Sequence, residues 1–146
     1  MFVFQNELSA IAYRKIFFIS LQVRATLPIS ELQQKAQVAL GTSMPVNFIT
    51  TYRQADKAWE FMAYQTNDTA LTYFGAVNYF KSAFINPYDG SITGFRDYKY
   101  DLFTIVKYAH WSLLLNTKYG QPIVGWATLL FVILLLSGLV LWWPKK

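Results

Sequence analysis

From Ile123 to Trp143 the chain reads IVGWATLLFVILLLSGLVLWW, 21 residues without a single charge. As a helix rising about 1.5 Å per residue this run reaches about 31 Å, enough to cross a hydrocarbon core of about 30 Å. A helix apolar on every side can be buried in water only by a much larger protein than 146 residues provide. One C-terminal transmembrane helix is therefore expected, and its distance from the N-terminus argues against a signal peptide.

The flanks of the run fit this reading. Trp142 and Trp143 stand where an interfacial aromatic belt lies, and Tyr119 and Trp126 mark the other interface. Lys145 and Lys146 favour a cytoplasmic C-terminus, which places everything before the span on the outer side, although Lys107 and Lys118 on the opposite flank weigh against it. Gly125, Ser137 and Gly138 are small positions on an otherwise bulky helix, suited to close packing against another helix.

Composition bounds the rest. With 54% hydrophobic and only 14% charged residues, against about 25% charged in globular chains, a disordered chain is excluded. Thirteen Lys and Arg against eight Asp and Glu give +5, but the basic residues are scattered from Arg14 to Lys146, so no nucleic-acid partner is expected. The absence of cysteine removes disulfides, thiolate metal sites and cysteine nucleophiles.

The polar residues concentrate before position 97 and read as a small α+β unit. Tyr13–Val23 is rich in β-branched and aromatic residues and reads as a strand; Ser30 then caps a helix running to about Leu40, which Gly41 ends. Short strands follow over Phe48–Arg53, Trp59–Gln65, Leu71–Phe74 and Tyr79–Ile85, with a break at Gly75. Asn86-Pro87-Tyr88-Asp89-Gly90 is a turn, because Pro87 fixes φ near −65° and Gly90 tolerates positive φ. Ser91–Phe95 is the returning strand, with Gly94 as its end or a bulge. From Asp97 to Asn116 apolar residues recur at helical spacing, giving an amphipathic helix at the membrane interface that Lys118, Gly120 and Pro122 break before the span. The expected organisation is a soluble unit over residues 1–96, a juxtamembrane helix over 97–118, and the membrane helix with a short basic tail over 119–146.

Residues with chemical capacity are few. His110 is the only histidine; a neutral imidazole can ligate haem iron, but a hydrogen-bonded interfacial side chain is the plainer reading, and zinc sites need three or four ligands. Asp97 and Asp101, four apart, are expected to cap a helix; Asp56 and Glu60, also four apart, to face solvent beside Lys57. Ser112 follows His110 by two, which on a helix turns it away and disfavours a Ser–His nucleophile. Asn67-Asp-Thr69 is a formal glycosylation sequon, informative only in a eukaryotic secretory protein. No phosphate loop or dinucleotide fingerprint is present.

Two blocks carry a resemblance: NPYDGSITGFRDYKYDLF from Asn86, and HWSLLLNTKYGQPIVGWATLLFVILLLSGLVLWWPKK from His110. They resemble the PepSY-associated transmembrane family of bacteria, in which a hairpin of the "NPYTG" kind is followed by a helix with a histidine and "LLL", then a span that opens on glycine and closes with "SG" and "LWWP". Phe4-Gln-Asn-Glu7-Leu8 resembles the segment after the family's first membrane helix. The resemblance implies a PepSY-like periplasmic domain on a bacterial inner-membrane protein. Some members resemble haem-dependent reductases that pass electrons across the membrane to ferric siderophores.

On that resemblance His110 is an axial ligand of a haem b, the metal being held through the haem iron only. The second ligand is absent from this sequence. Family members usually have three or four spans, so the chain looks like the middle of a longer protein; a second copy is another source of an imidazole. The implied partners are membrane lipid, other transmembrane helices and a ferric siderophore, with Tyr88 and Arg96 near the hairpin as exposed contacts. The contrasting reading is a membrane-tethered PepSY module that binds or restrains a peptidase without redox activity. A third is a structural subunit of a membrane complex.

Overall fold

The computed structural model describes residues 12–20 and 25–143. The Phe4–Leu8 segment, residues 21–23 of the expected first strand and the tail Lys145–Lys146 lie outside them.

Four strands form one antiparallel sheet in sequence order: β1 (Phe48–Thr50), β2 (Trp59–Thr66), β3 (Val77–Ile85) and β4 (Ile92–Asp97). Side chains alternate between the two faces of a strand, so each face has its own cover. The first face is packed by α2 (Ile29–Leu40), whose Leu32, Ala36 and Leu40 recur every four residues and are buried. Leu32 and Ala36 meet Phe61 and Ile85, while Leu40 meets Ala63 and Ala83. The helix starts behind Pro28, not at a Ser30 cap, because Pro28 with φ of −57° presets the entry and Ser30 lies one residue inside. Gly41, with φ of 95°, ends it as expected.

The opposite face carries Glu60, Ser82, Phe84 and Arg96, with cross-strand rows Glu60–Phe84–Gly94 and Met62–Ser82–Arg96. Its cover is α1 (Arg14–Phe17), a single turn where the sequence suggested a strand. The aromatic residues that suggested pairing pack downward instead: Phe17 meets Phe84 edge-on at 4.9 Å between ring centres. Ile16 sits so close over Gly94 that a Cβ there would lie 2.9 Å from its side chain. Gly94 therefore leaves room for α1 and does not end β4, which continues to Asp97; the bulge falls at Thr93, where the register slips.

The hairpin over Asn86–Gly90 forms as read. Gly90 adopts φ of 72° and returns its N–H to the Asn86 carbonyl at 2.9 Å, and Asp89 accepts from the Ser91 N–H at 2.7 Å. Leu71–Phe74 is not a strand: Tyr73–Ala76 form one helical turn, α3, whose Gly75 N–H donates to the Thr72 hydroxyl at 3.4 Å.

Two helices complete the chain. α4 (Leu102–Ser112) is capped by Asp101, and it ends earlier than residue 116 because Leu113 and Leu114 both turn left-handed, at φ of 55° and 57°. That conformation costs about 1–2 kcal/mol per residue for L-residues, so the corner is held by other bonds. The Asn116 side chain supplies three, accepting from the Lys118 N–H and donating to the Ala70 and Asp68 carbonyls at 2.9 and 3.4 Å. α5 (Thr117–Trp142) then runs 26 residues with Gly120 and Pro122 inside it. Neither breaks the chain before the span: the corner at 113–116 does.

Candidate functional site

Three groupings of polar and aromatic side chains occur among the described residues, and all touch the passage from the sheet to α5. The first surrounds His110. It lies in the last turn of α4 and is exposed, on an arc with Leu102, Val106 and Trp111, which are exposed at 69%, 39% and 48%, and with the exposed Lys107. The other side of α4 faces the protein through Thr104 and Ser112. The Ser112 hydroxyl donates to the Leu115 and Tyr108 carbonyls at 2.9 and 3.2 Å, so it is engaged in the corner, as its place on a different side from His110 suggested.

The second grouping was misread in the sequence. Arg96 and Glu60 are buried at 6% exposure each, not solvent-facing. Arg96 Nη2 lies 3.1 Å from Asp101 Oδ2, and its guanidinium is sandwiched between the rings of Tyr13 at 4.3 Å and Tyr98 at 4.5 Å. Tyr13 donates its hydroxyl to the other Asp101 oxygen at 2.8 Å, and Tyr98 donates to Glu60 Oε1 at 2.7 Å. Asp101 Oδ2 also accepts from the Thr104 N–H at 3.2 Å. Burial alone would raise the Asp101 pKa, but the Tyr13 hydrogen bond and the Arg96 charge outweigh it and hold the carboxyl below its ordinary value. Burial first, then the Glu60 carboxylate, pushes the Tyr98 hydroxyl up.

Asp97 and Asp101 thus form no acid–base pair: Asp97 lies 3.9 Å from Lys81 Nζ and accepts from the Lys99 N–H at 3.0 Å. Alternation alone assigns Glu60 and Arg96 to a face, and the polar residues on it suggested water; the cover provided by α1 is a long-range fact. The readable signal was an arginine on a sheet face with aromatic residues at Tyr13 and Tyr98 and an acid at a helix start.

The third grouping is a cavity of about 170 Å³ at the foot of α5, lined by Tyr64, Thr66, Asp68, Tyr73, Tyr108, Asn116 and Thr117 among others. The rings of Tyr73 and Tyr108 lie 4.4 Å apart. Burial, then the neighbouring Tyr108 hydroxyl, raises the Tyr64 pKa to about 12, and burial raises that of Tyr73 as well.

Over residues 1–146 the sequence matches the family described as the PepSY-associated TM region. The chain belongs to that family. No curated protein and no solved structure matches it. As a PepSY-associated TM protein it is membrane-associated, and its sheet unit and α5 agree with an α+β fold followed by one helix able to span a bilayer.

The remaining expected positions of this PepSY-associated TM protein are dispersed. Tyr88 is half-buried and donates to the Ala55 carbonyl at 3.2 Å. Gly125 and Gly138 face open space, the Ser137 hydroxyl donates back to the Leu134 carbonyl at 2.8 Å, and Trp142 and Trp143 are exposed. The donor set for haem is one-sided. His110, with Leu102 and Val106 beside it, would offer one nitrogen ligand and a partly apolar neighbourhood to such a group. Among the described residues nothing offers a second imidazole, and Met44 and Met62 belong to the sheet unit.

Proposed function

We propose that this PepSY-associated TM protein is an electron-transfer component whose intact assembly holds haem b through His110 and serves the reduction of ferric iron or a ferric siderophore. The observation that carries the reading is the placement of His110: an imidazole exposed beside Leu102, Val106 and Trp111, with Lys107 also exposed on that side, at the corner from which the membrane helix departs. Exposed apolar side chains gain from a cover, and an apolar macrocycle whose iron the imidazole ligates would supply one. When bound, haem supplies one-electron chemistry. The chain's own contribution would be the His110 imidazole nitrogen, the orientation of α4 by the Asp101 cap, and the apolar side chains of Leu102, Val106 and Trp111 beside it. The second ligand comes from further transmembrane helices or a second copy. In this reading α5 lies in a bacterial inner membrane, with the sheet unit on the periplasmic side and Lys145 and Lys146 on the cytoplasmic side.

A reduced-minus-oxidised spectrum of the protein purified with its native membrane partners is expected to show a b-type α-band, and His110→Ala to abolish it. An undiminished band in a folded H110A protein would remove the reading.

A tethered binding module is the second reading, and one observation favours it. The edge strand β4 and α2 flank a groove where Val38, Ile92 and Phe95 are exposed at 77%, 43% and 53%, a surface suited to an extended polypeptide. Pull-down partners that survive H110A and are lost with Phe95→Glu would support it over electron transfer.

A further inference from the structure

The cavity at the foot of α5 is defined by what lines it and by where it sits. Three tyrosines, Tyr64, Tyr73 and Tyr108, supply ring faces and hydroxyls, and among the described residues Asp68 is the one charged residue in the lining. No lysine, arginine or histidine among the described residues lines it. At about 170 Å³ it is several times the roughly 30 Å³ that one water occupies, so it takes a small chemical group.

Its depth follows from the helix. Thr117, on its wall, precedes Ile123 by six residues, or about 9 Å of rise. Each headgroup layer is about 5–8 Å thick outside the hydrocarbon. The cavity therefore opens at the outer edge of the headgroup layer. In a zwitterionic phospholipid that is the level of the ammonium, with the phosphate one step deeper.

We propose that this cavity binds the ammonium end of a zwitterionic aminophospholipid in the leaflet that α5 enters. The tyrosine rings and the Asp68 carboxylate both attract a cation that has left bulk water. The N-terminus of α5 opposes it with about half a positive charge, but the Asn116 side chain already occupies the Lys118 N–H there, and the full charge of Asp68 is larger. The carboxylate lies near enough to add, after burial and the Tyr108 hydroxyl, to the raised pKa of Tyr64. Lys118, exposed one residue into α5 with its ammonium 5.6 Å from the Tyr119 ring centre, follows Thr117 of the lining and is the cation nearest to it in sequence for the phosphate. An anionic headgroup without an amine would meet only Asp68 in the cavity and be repelled.

Native mass spectrometry of the detergent-purified full chain, titrated with phosphatidylethanolamine or phosphatidylglycerol, tests the assignment. Preferential retention of phosphatidylethanolamine by about tenfold is expected, the factor that an exposed ion pair and a cation–π contact supply together. Asp68→Asn, at an exposed position, should erase the preference with an unchanged circular dichroism spectrum, and Asp68→Lys should invert it. Equal retention of the two lipids, or an unchanged preference in folded D68N, would overturn the proposal. So would full displacement of the lipid by soluble glycerophosphoethanolamine at equal concentration, which would assign the cavity to a free amine.

Discussion

The sheet unit and α5 handle apolar side chains in opposite ways. In the sheet unit Leu32, Phe61, Phe84 and Ile85 are all at 0% exposure, whereas along α5 Leu134, Val140 and Leu141 stand at 69%, 75% and 86%. The first arrangement is what water imposes, because burial of apolar area is its main favourable term. The second is stable only where the surroundings are themselves apolar. Polar groups invert the comparison. The sheet unit tolerates a buried arginine because Asp101, Tyr13 and Tyr98 answer it, while α5 carries no charge from Tyr119 to Trp143. One region is specified by partners, the other by solvent.

The sharpest way to break this comparison is to put charge where only solvent decides. Leu130→Arg with Leu134→Arg, one turn apart on α5, should cost about 5–7 kcal/mol of insertion free energy at about 2.5–3.5 per central arginine. The readout is the fraction of protein resisting alkaline carbonate extraction, expected to fall several-fold. Arginine at Thr51, exposed in the loop after β1, should leave that fraction unchanged. Retention of the double variant in the membrane would mean that α5 is shielded by protein on that face.

Next comes charge where partners decide. Asp101→Ala strands Arg96 in a buried setting and removes the α4 cap, so a loss of about 3–5 kcal/mol in chemical denaturation is expected. Arg96→Met combined with Asp101→Asn, which removes both buried charges and keeps a capping side chain, should cost less. If the two variants were equally harmful, the ion pair would be a net stabiliser and not a mutual accommodation.

The pH dependence has two limbs. The folded Asp101 carboxyl lies below its ordinary 3.8, so the unfolded chain takes up the proton first. Its stabilisation is complete above that ordinary value and disappears as the pH falls through the depressed one. Tyr98 lies above its ordinary 10.0, so the unfolded chain loses that proton first, and stability declines from about pH 10 upward. Thermal midpoints should therefore be flat between the limbs. Tyr98→Phe should remove only the share of the alkaline decline that Tyr98 contributes, the rest coming from Tyr13, Tyr52, Tyr64 and Tyr73, whose hydroxyl pKa values are raised as well.

How much of this was legible in the sequence follows the same division. The span, the Asn86–Gly90 hairpin and the helix ending at Gly41 depend on neighbours in sequence, and they stand where the residues placed them. The errors occur where distant contacts override local preference. Residues 13–17 have strand-like composition but are recruited as a lid, because Phe17 and Ile16 have Phe84 and Gly94 beneath them. Leu71–Phe74 turns instead of extending because the Tyr73 N–H and the Asn116 N–H tie that loop to the corner before α5, at 2.8 and 2.7 Å. Glu60 and Arg96 read as surface charges, because a period-two pattern names a face without saying what covers it. Of the site, His110 was visible as a lone imidazole, while the tyrosine cavity assembles from four separate segments and leaves no spacing to detect.

The smallest effects distinguish glycines that the sequence treats alike. Gly125 and Gly138 were singled out for helix packing, yet among the described residues a Cβ at either meets nothing within 4 Å. Gly120 was read as a helix breaker, and it is the one that matters: a Cβ there would collide with the Ser112 carbonyl oxygen and side chain across the α4–α5 corner. Backbone on one side and a doubly hydrogen-bonded hydroxyl on the other cannot yield by a rotamer change. Gly120→Ala should therefore cost about 1–3 kcal/mol, the ordinary penalty of overpacking, despite the gain in helix propensity. Gly125→Ala should stay within about 0.5 kcal/mol for the isolated chain. The same Gly125→Ala assayed with the native membrane partners reports something the isolated chain cannot: a loss confined to that assembly would place another helix against α5 at Gly125, whereas no loss would give that face to lipid.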